Sequence, residues 1–159
     1  MLESGPLTQQ LESHCSGEFR LELSGQSWQR PLFDEAKALS LHTGAYALVR
    51  EIYLKCKNLS WVYGRSIIPA STFTGAERRL AHWGQRSLGD YLFTERKAQR
   101  GQIEIAKILP QDKLFRLAVK NMNTENMELW GRRSMFYIKN KPLLVVEIFL
   151  ADVIKCMIT

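Results

Sequence analysis

The stretch from Leu129 to Leu150 reads LWGRRSMFYI, then KNK, then PLLVVEIFL, whose run after the proline is apolar at every position but one. Two β-rich runs parted by so short a polar break predict a hairpin. A hairpin commits its surroundings to an antiparallel sheet. The second run is apolar on both faces, which fits a central strand covered on both sides. Residues 143, 145, 147 and 149 share one face and 144, 146, 148 and 150 the other. Glu147 is the exception to the apolar rule. A carboxylate stripped of water is costly unless a partner compensates, so something polar must meet it.

The rest of the chain supplies more strands. EFRLELSGQSW (18–28) alternates apolar and charged residues, as a half-buried strand does. AYALVREIYL (45–54) and WVYGRSIIP (61–69) read as a second hairpin about the turn KCKNLS, and GQIEIAKI (101–108) as a further strand. Short helices are expected near Pro6 to Cys15, from Asp34 to Leu41, from Thr74 to Trp83, from Ser87 to Phe93 and from Pro110 to Lys120. Thr74 and Glu77 have the spacing of a capping box. Sequential hairpins with helices over one face make the class α+β. At 159 residues the chain is expected to form one domain, 1–159, with a real core.

Several function classes find no support. No apolar run is long enough to cross a membrane as a helix, and the N-terminus has no signal-peptide pattern. There is no GxSxG, P-loop, GxGxxG or HExxH motif, so no motif-borne cofactor or metal is expected. Cys15, Cys56 and Cys156 are widely spaced and read as free thiols in a reducing cytoplasm. The net charge of +6 is spread without a long basic block, so nucleic acid is not an expected partner. His14, His42 and His82 have no acid at triad spacing and read as surface or capping residues.

The candidates for a site are therefore the charges inside strands. Arg65 interrupts WVYGRSIIP, sharing a face with Trp61, Tyr63 and Ile67. Arg132 and Arg133 must point to opposite faces, so one of them points inward. Two meanings stay open for Glu147. It either pairs with an arginine only to hold the fold, or it lines a small cavity with a guanidinium at the far end. In the second case the two groups would clamp a flat hydroxy-acid, because guanidinium grips a carboxylate bidentately.

Three blocks carry a family likeness: ALVREIYLKCKNLSWVYGRSIIPASTFTG (47–75), LGDYLF (88–93) and LWGRRSMFYIKNKPLLVVEIFL (129–150), with weaker support from DEAKALSL (34–41). In this order they resemble the bacterial chorismate pyruvate-lyases. The resemblance implies a single antiparallel sheet with helices over it and a ligand enclosed beneath flaps. It implies a cofactor-free lyase that turns chorismate into 4-hydroxybenzoate and pyruvate at the entry to ubiquinone biosynthesis. It also implies a monomeric cytoplasmic enzyme whose partners are small molecules. The resemblance assigns Arg65 to the ring carboxylate, Glu147 to the ring hydroxyl, and main-chain contacts to Leu129 and Cys15. Arg133 or Arg132 would take the enolpyruvyl carboxylate. Segment 106–128 is longer than in the shortest relatives and is expected to reshape a flap. A non-catalytic domain of the same fold, binding a small acid as an effector, is the alternative.

Overall fold

The computed structural model describes residues 7–73, 98–120, 122 and 128–150. Six strands form one sheet: β1 Phe19–Gln29, β2 Ala47–Cys56, β3 Leu59–Pro69, β4 Gln99–Ile108, β5 Leu129–Ile138 and β6 Lys141–Phe149. All neighbours are antiparallel, in the order β1-β2-β3-β6-β5-β4. Two three-stranded meanders are thus joined at their inner edges by β3 and β6. The α+β expectation and the antiparallel hairpins hold.

The hairpin at 129–150 closes through Lys139 and Asn140, with Ile138 paired to Lys141. Both turn residues have positive φ, 50° and 66°. Two left-handed residues match the twist of the flanking strands, and asparagine tolerates that conformation better than most side chains. β3 is buried without interruption from Trp61 to Pro69. Burial of this kind follows from its place inside the sheet, with both faces covered. A register shift between Leu54 and Lys55 leaves Trp61 outside the regular alternation. Trp61 therefore packs with Leu7, Leu11, Val62 and Phe149 rather than beside Arg65 as expected.

Helices do not keep to one face. α1, Leu7–His14, lays Leu7 and Leu11 against Leu54, Val62 and Phe149. α2, Phe33–Ala38, and α3, Lys113–Ala118, belong to the other side. There Ala38, Leu39, Leu114, Phe115 and Ala118 meet Val49, Tyr63, Ile67, Leu144, Val146 and Ile148. The Tyr53 hydroxyl donates to the Ala118 carbonyl at 2.9 Å and ties down the end of α3. The helices expected at 74–83 and 87–93 lie outside the described residues.

The free-thiol expectation is overturned for Cys15 and Cys56, while Cys156 lies outside the described residues. Cys15 and Cys56 form a disulfide, with their Cα atoms 5.7 Å apart. It ties the segment after α1 to the end of β2. The strand register carries Cys56 to that end, where Cys15 arrives from α1. Sequence spacing alone gives no sign of this meeting.

Candidate functional site

In an antiparallel pair, directly opposed residues project to the same side. The register therefore assigns every strand residue to a face. Arg65 opposes Glu51 on β2 and Val146 on β6. Glu147 opposes Gly64 on β3 and Arg132 on β5. Arg65 and Glu147 thus leave the sheet on opposite sides. Their side chains do not grip the two ends of one slot, which corrects the clamp expected from the sequence.

On its own side, Arg65 already has a carboxylate. Its Nε donates to Glu35 Oε2 at 2.8 Å and its Nη2 to Glu35 Oε1 at 3.0 Å. Glu35 Oε1 also accepts the Leu32 backbone N–H at 2.8 Å, at the start of α2. A second acid, Glu51, lies 3.7 Å from Arg65 Nη1 and accepts the Tyr63 hydroxyl. Burial pulls the Arg65 pKa down, but the Glu35 contacts outweigh it and the net direction is up. Tyr63 is pushed up by burial and then by Glu51. This network pins α2 to the sheet. Beside it lies a hollow of about 190 Å³ lined by Ala106, Ile108, Leu114, Val146 and Ile148, with Asp34 and Glu104 among its polar residues.

The other side is cation-rich. Arg132 Nε donates to Glu147 Oε1 at 3.0 Å, and its Nη2 reaches Oε1 at 2.9 Å and Oε2 at 3.1 Å. Arg100, paired in register with Phe136 and stacked on its ring at 5.2 Å, adds a further positive charge that acts on Glu147. Burial raises the Glu147 pKa, with Arg132 and Arg100 pulling the other way. Burial also brings the Arg50 pKa down to about 10.

Arg50 is the residue that sequence reasoning missed. It is 2% exposed and opposes Ser66, so it projects to the Glu147 side. Its neighbours on that face of β2 are Leu48 and Ile52, both apolar. The parity test applied to Glu147 would have found it, since a lone arginine stands in an otherwise apolar row. Because Arg50 and Glu51 are adjacent in sequence, the pair instead resembles ordinary surface charge.

Between Arg50 and Glu147 lies a low floor. One rung runs Arg50, Ser66, Val145, Ser134, and the next Ile52, Gly64, Glu147, Arg132. Two strands across and two residues along place the Arg50 and Glu147 Cα atoms about 12 Å apart. Gly64 contributes no side chain, and an added Cβ would meet Ile52 Cγ1 at 2.9 Å. A guanidinium and a carboxyl group on one face, with serine, glycine and valine between them, can hold a small ring with polar groups at both ends.

The remaining expected residues fall elsewhere. Leu129 is buried in the core on the Arg65 side, paired with Ile108. Cys15 is spent in the disulfide, and its N–H donates to the Glu12 carbonyl at 3.2 Å. Arg133 faces the Arg65 side and reaches Asp34 at 3.2 Å and Glu104 at 2.9 Å. Arg132, not Arg133, is therefore the cation beside Glu147. Among the described residues no group of three His, Cys, Asp or Glu is placed to hold a metal, and no helix is long and apolar enough to cross a membrane.

A family model described as "Chorismate lyase" matches residues 1–156. A protein of Methylococcus capsulatus named "Probable chorismate pyruvate-lyase" is 41% identical over 154 residues, covering 97% of this chain and 94% of the relative. One of the same name from Nitrosomonas eutropha is 36% identical over 150 residues, covering 94% and 84%. Among solved structures, the PhnF C-terminal domain superposes with a TM-score of 0.68 at 17% identity, covering 94% of this chain and 89% of that one. The effector domain of PhnF from Mycobacterium smegmatis gives 0.67 at 16%, covering 95% and 91%. At such identities these structures establish the fold alone. The family match over nearly the whole length, and relatives this similar along it, make the chain a member of the chorismate lyase family.

Proposed function

We propose that the chain converts chorismate to 4-hydroxybenzoate and pyruvate on the Arg50–Glu147 side of the sheet, without a redox cofactor. The observation that carries this reading is a pair of unlike groups on one face, the buried Arg50 and the largely buried Glu147, separated by the low floor of Gly64 and Ser66. Chorismate carries a ring carboxylate para to a carbinol hydroxyl. Arg50 takes the carboxylate in a fork, and Glu147 meets the hydroxyl. The enolpyruvyl carboxylate goes to the remaining positive charge, Arg132 and Arg100.

The reaction is an elimination. The C3–O bond to the enolpyruvyl group breaks and the C4 proton leaves. The C4–H electron pair closes the aromatic ring, while the departing oxygen keeps its own pair and ends, after protonation, as pyruvate. Aromatisation drives the step, so the protein's part is to orient the ring and stabilise charge. The same groups fit the product, which favours slow release. The names of the relatives agree with this activity, and the cation-rich face suits a dianion better than the acid-rich Arg65 face does.

The test is direct. Purified protein is mixed with chorismate, and 4-hydroxybenzoate is followed by ultraviolet absorbance with pyruvate measured by a coupled assay. Equal amounts of both products are expected. Binding of 4-hydroxybenzoate with no turnover would instead mark an effector-binding domain.

A further inference from the structure

Ser134 is fully buried on β5, and its hydroxyl has no hydrogen-bond partner among the described residues. A buried hydroxyl left unmade is expensive, and an unsatisfied one calls for an explanation. The register supplies its location. Ser134 opposes Val145 on β6, and Val145 opposes Ser66 on β3, so it projects to the Arg50–Glu147 side. It stands two residues from Arg132 along the same face of β5. It is the hydroxyl on the Glu147 side of the floor, whereas Ser66 is directly opposed to Arg50.

We infer that Ser134 donates a hydrogen bond to the bridging ether oxygen of the enolpyruvyl group and stabilises the charge that grows there as the C3–O bond breaks. The inference rests on the chorismate reading above. With the ring carboxylate at Arg50 and the C4 hydroxyl at Glu147, the ether oxygen on C3 is one ring position from Glu147. An enolpyruvyl carboxylate drawn to Arg132 turns that oxygen toward β5. The hydroxyl gives no proton away in this step. The carbon–oxygen pair leaves with the oxygen, and the C4 proton balances it, as in the elimination already written. A donor held in place before charge develops acts most strongly in the transition state.

The product lacks the ether oxygen, and this makes the role separable from binding. In Ser134→Ala, kcat with chorismate should fall by at least about tenfold, while the Kd for 4-hydroxybenzoate stays within about twofold of wild type by calorimetry. The melting temperature should stay level or rise, because the variant removes an unsatisfied buried group. A kcat within about threefold of wild type overturns the inference. So does an equal loss in kcat and in product affinity, which would mark a structural role. If the wild-type protein makes no 4-hydroxybenzoate, the activity reading fails and this inference fails with it. Wild-type turnover with an undiminished alanine variant removes the Ser134 role alone.

Discussion

Arg65 is paired across the β3–β6 ladder with Val146, the residue just before Glu147, so the two ionic side chains emerge on opposite sides of the sheet. One side is acid-rich and knits α2 to the strands. The other is cation-rich and has the low floor. The two buried arginines of β2 and β3 therefore do different work, and substitution should tell them apart.

Arg65→Met should destabilise the protein by about 3–5 kcal/mol, because it strands Glu35 in the interior without its cation. Chemical denaturation measures this. The double variant Arg65→Met with Glu35→Leu should recover much of the loss, since neither charge is then left buried alone. Recovery close to zero would mean that the pair does more than neutralise itself.

Arg50→Met should show the reverse pattern. Burial disfavours the charge on Arg50, so removing it should leave the melting temperature level or higher. Turnover should fall by at least about 100-fold, with a parallel loss of 4-hydroxybenzoate affinity. Arg50→Lys should rescue little, because a point charge does not reproduce the fork. Full activity in either variant would remove Arg50 from the site.

Glu147 gives a pH signature. Its pKa in the folded protein lies above the ordinary value of 4.5, chiefly through burial. A raised value means that the folded state holds the proton more tightly than the unfolded state. The associated stability is fully present below the unfolded value and is lost as pH rises through the folded one. The melting temperature of wild type relative to Glu147→Gln should therefore decline as pH is raised from 4.5 through that window. A difference that stays flat across pH would contradict the direction of the shift.

The disulfide makes a prediction on a different scale. The bond closes a loop between cysteines 41 residues apart. In the chain-entropy model a loop of that length contributes about 4 kcal/mol, or roughly 10 °C in melting temperature for a protein of this size. Reduction, or Cys56→Ser, should lower the melting temperature by that order. Non-reducing mass spectrometry should find Cys15 and Cys56 in one linked peptide.

The sheet was legible because β1 alternates apolar and charged residues and the other strands are β-rich runs bounded by polar or turn residues. The 129–150 hairpin was legible because a short polar break divides two runs. The inward placement of Glu147 followed from its apolar neighbours alone. Three things were not legible. Pairing order depends on how β3 finds β6, a contact between residues some 80 positions apart, and local pattern carries no record of it. Without that register, nothing in the sequence says whether Arg65 and Glu147 share a side. Arg50 escaped notice because Glu51 beside it in sequence masks the fact that adjacent strand residues point apart. The disulfide depends on where a helix end meets a strand end, which spacing cannot foretell.

α3 lies in the connection from β4 to β5, and it packs on the Arg65 side. The exposed residues of α3, Lys113 and Arg116, therefore have the sheet itself as a barrier between them and the proposed site. A label attached at either residue would sit on the back of the molecule, away from the chemistry proposed in front.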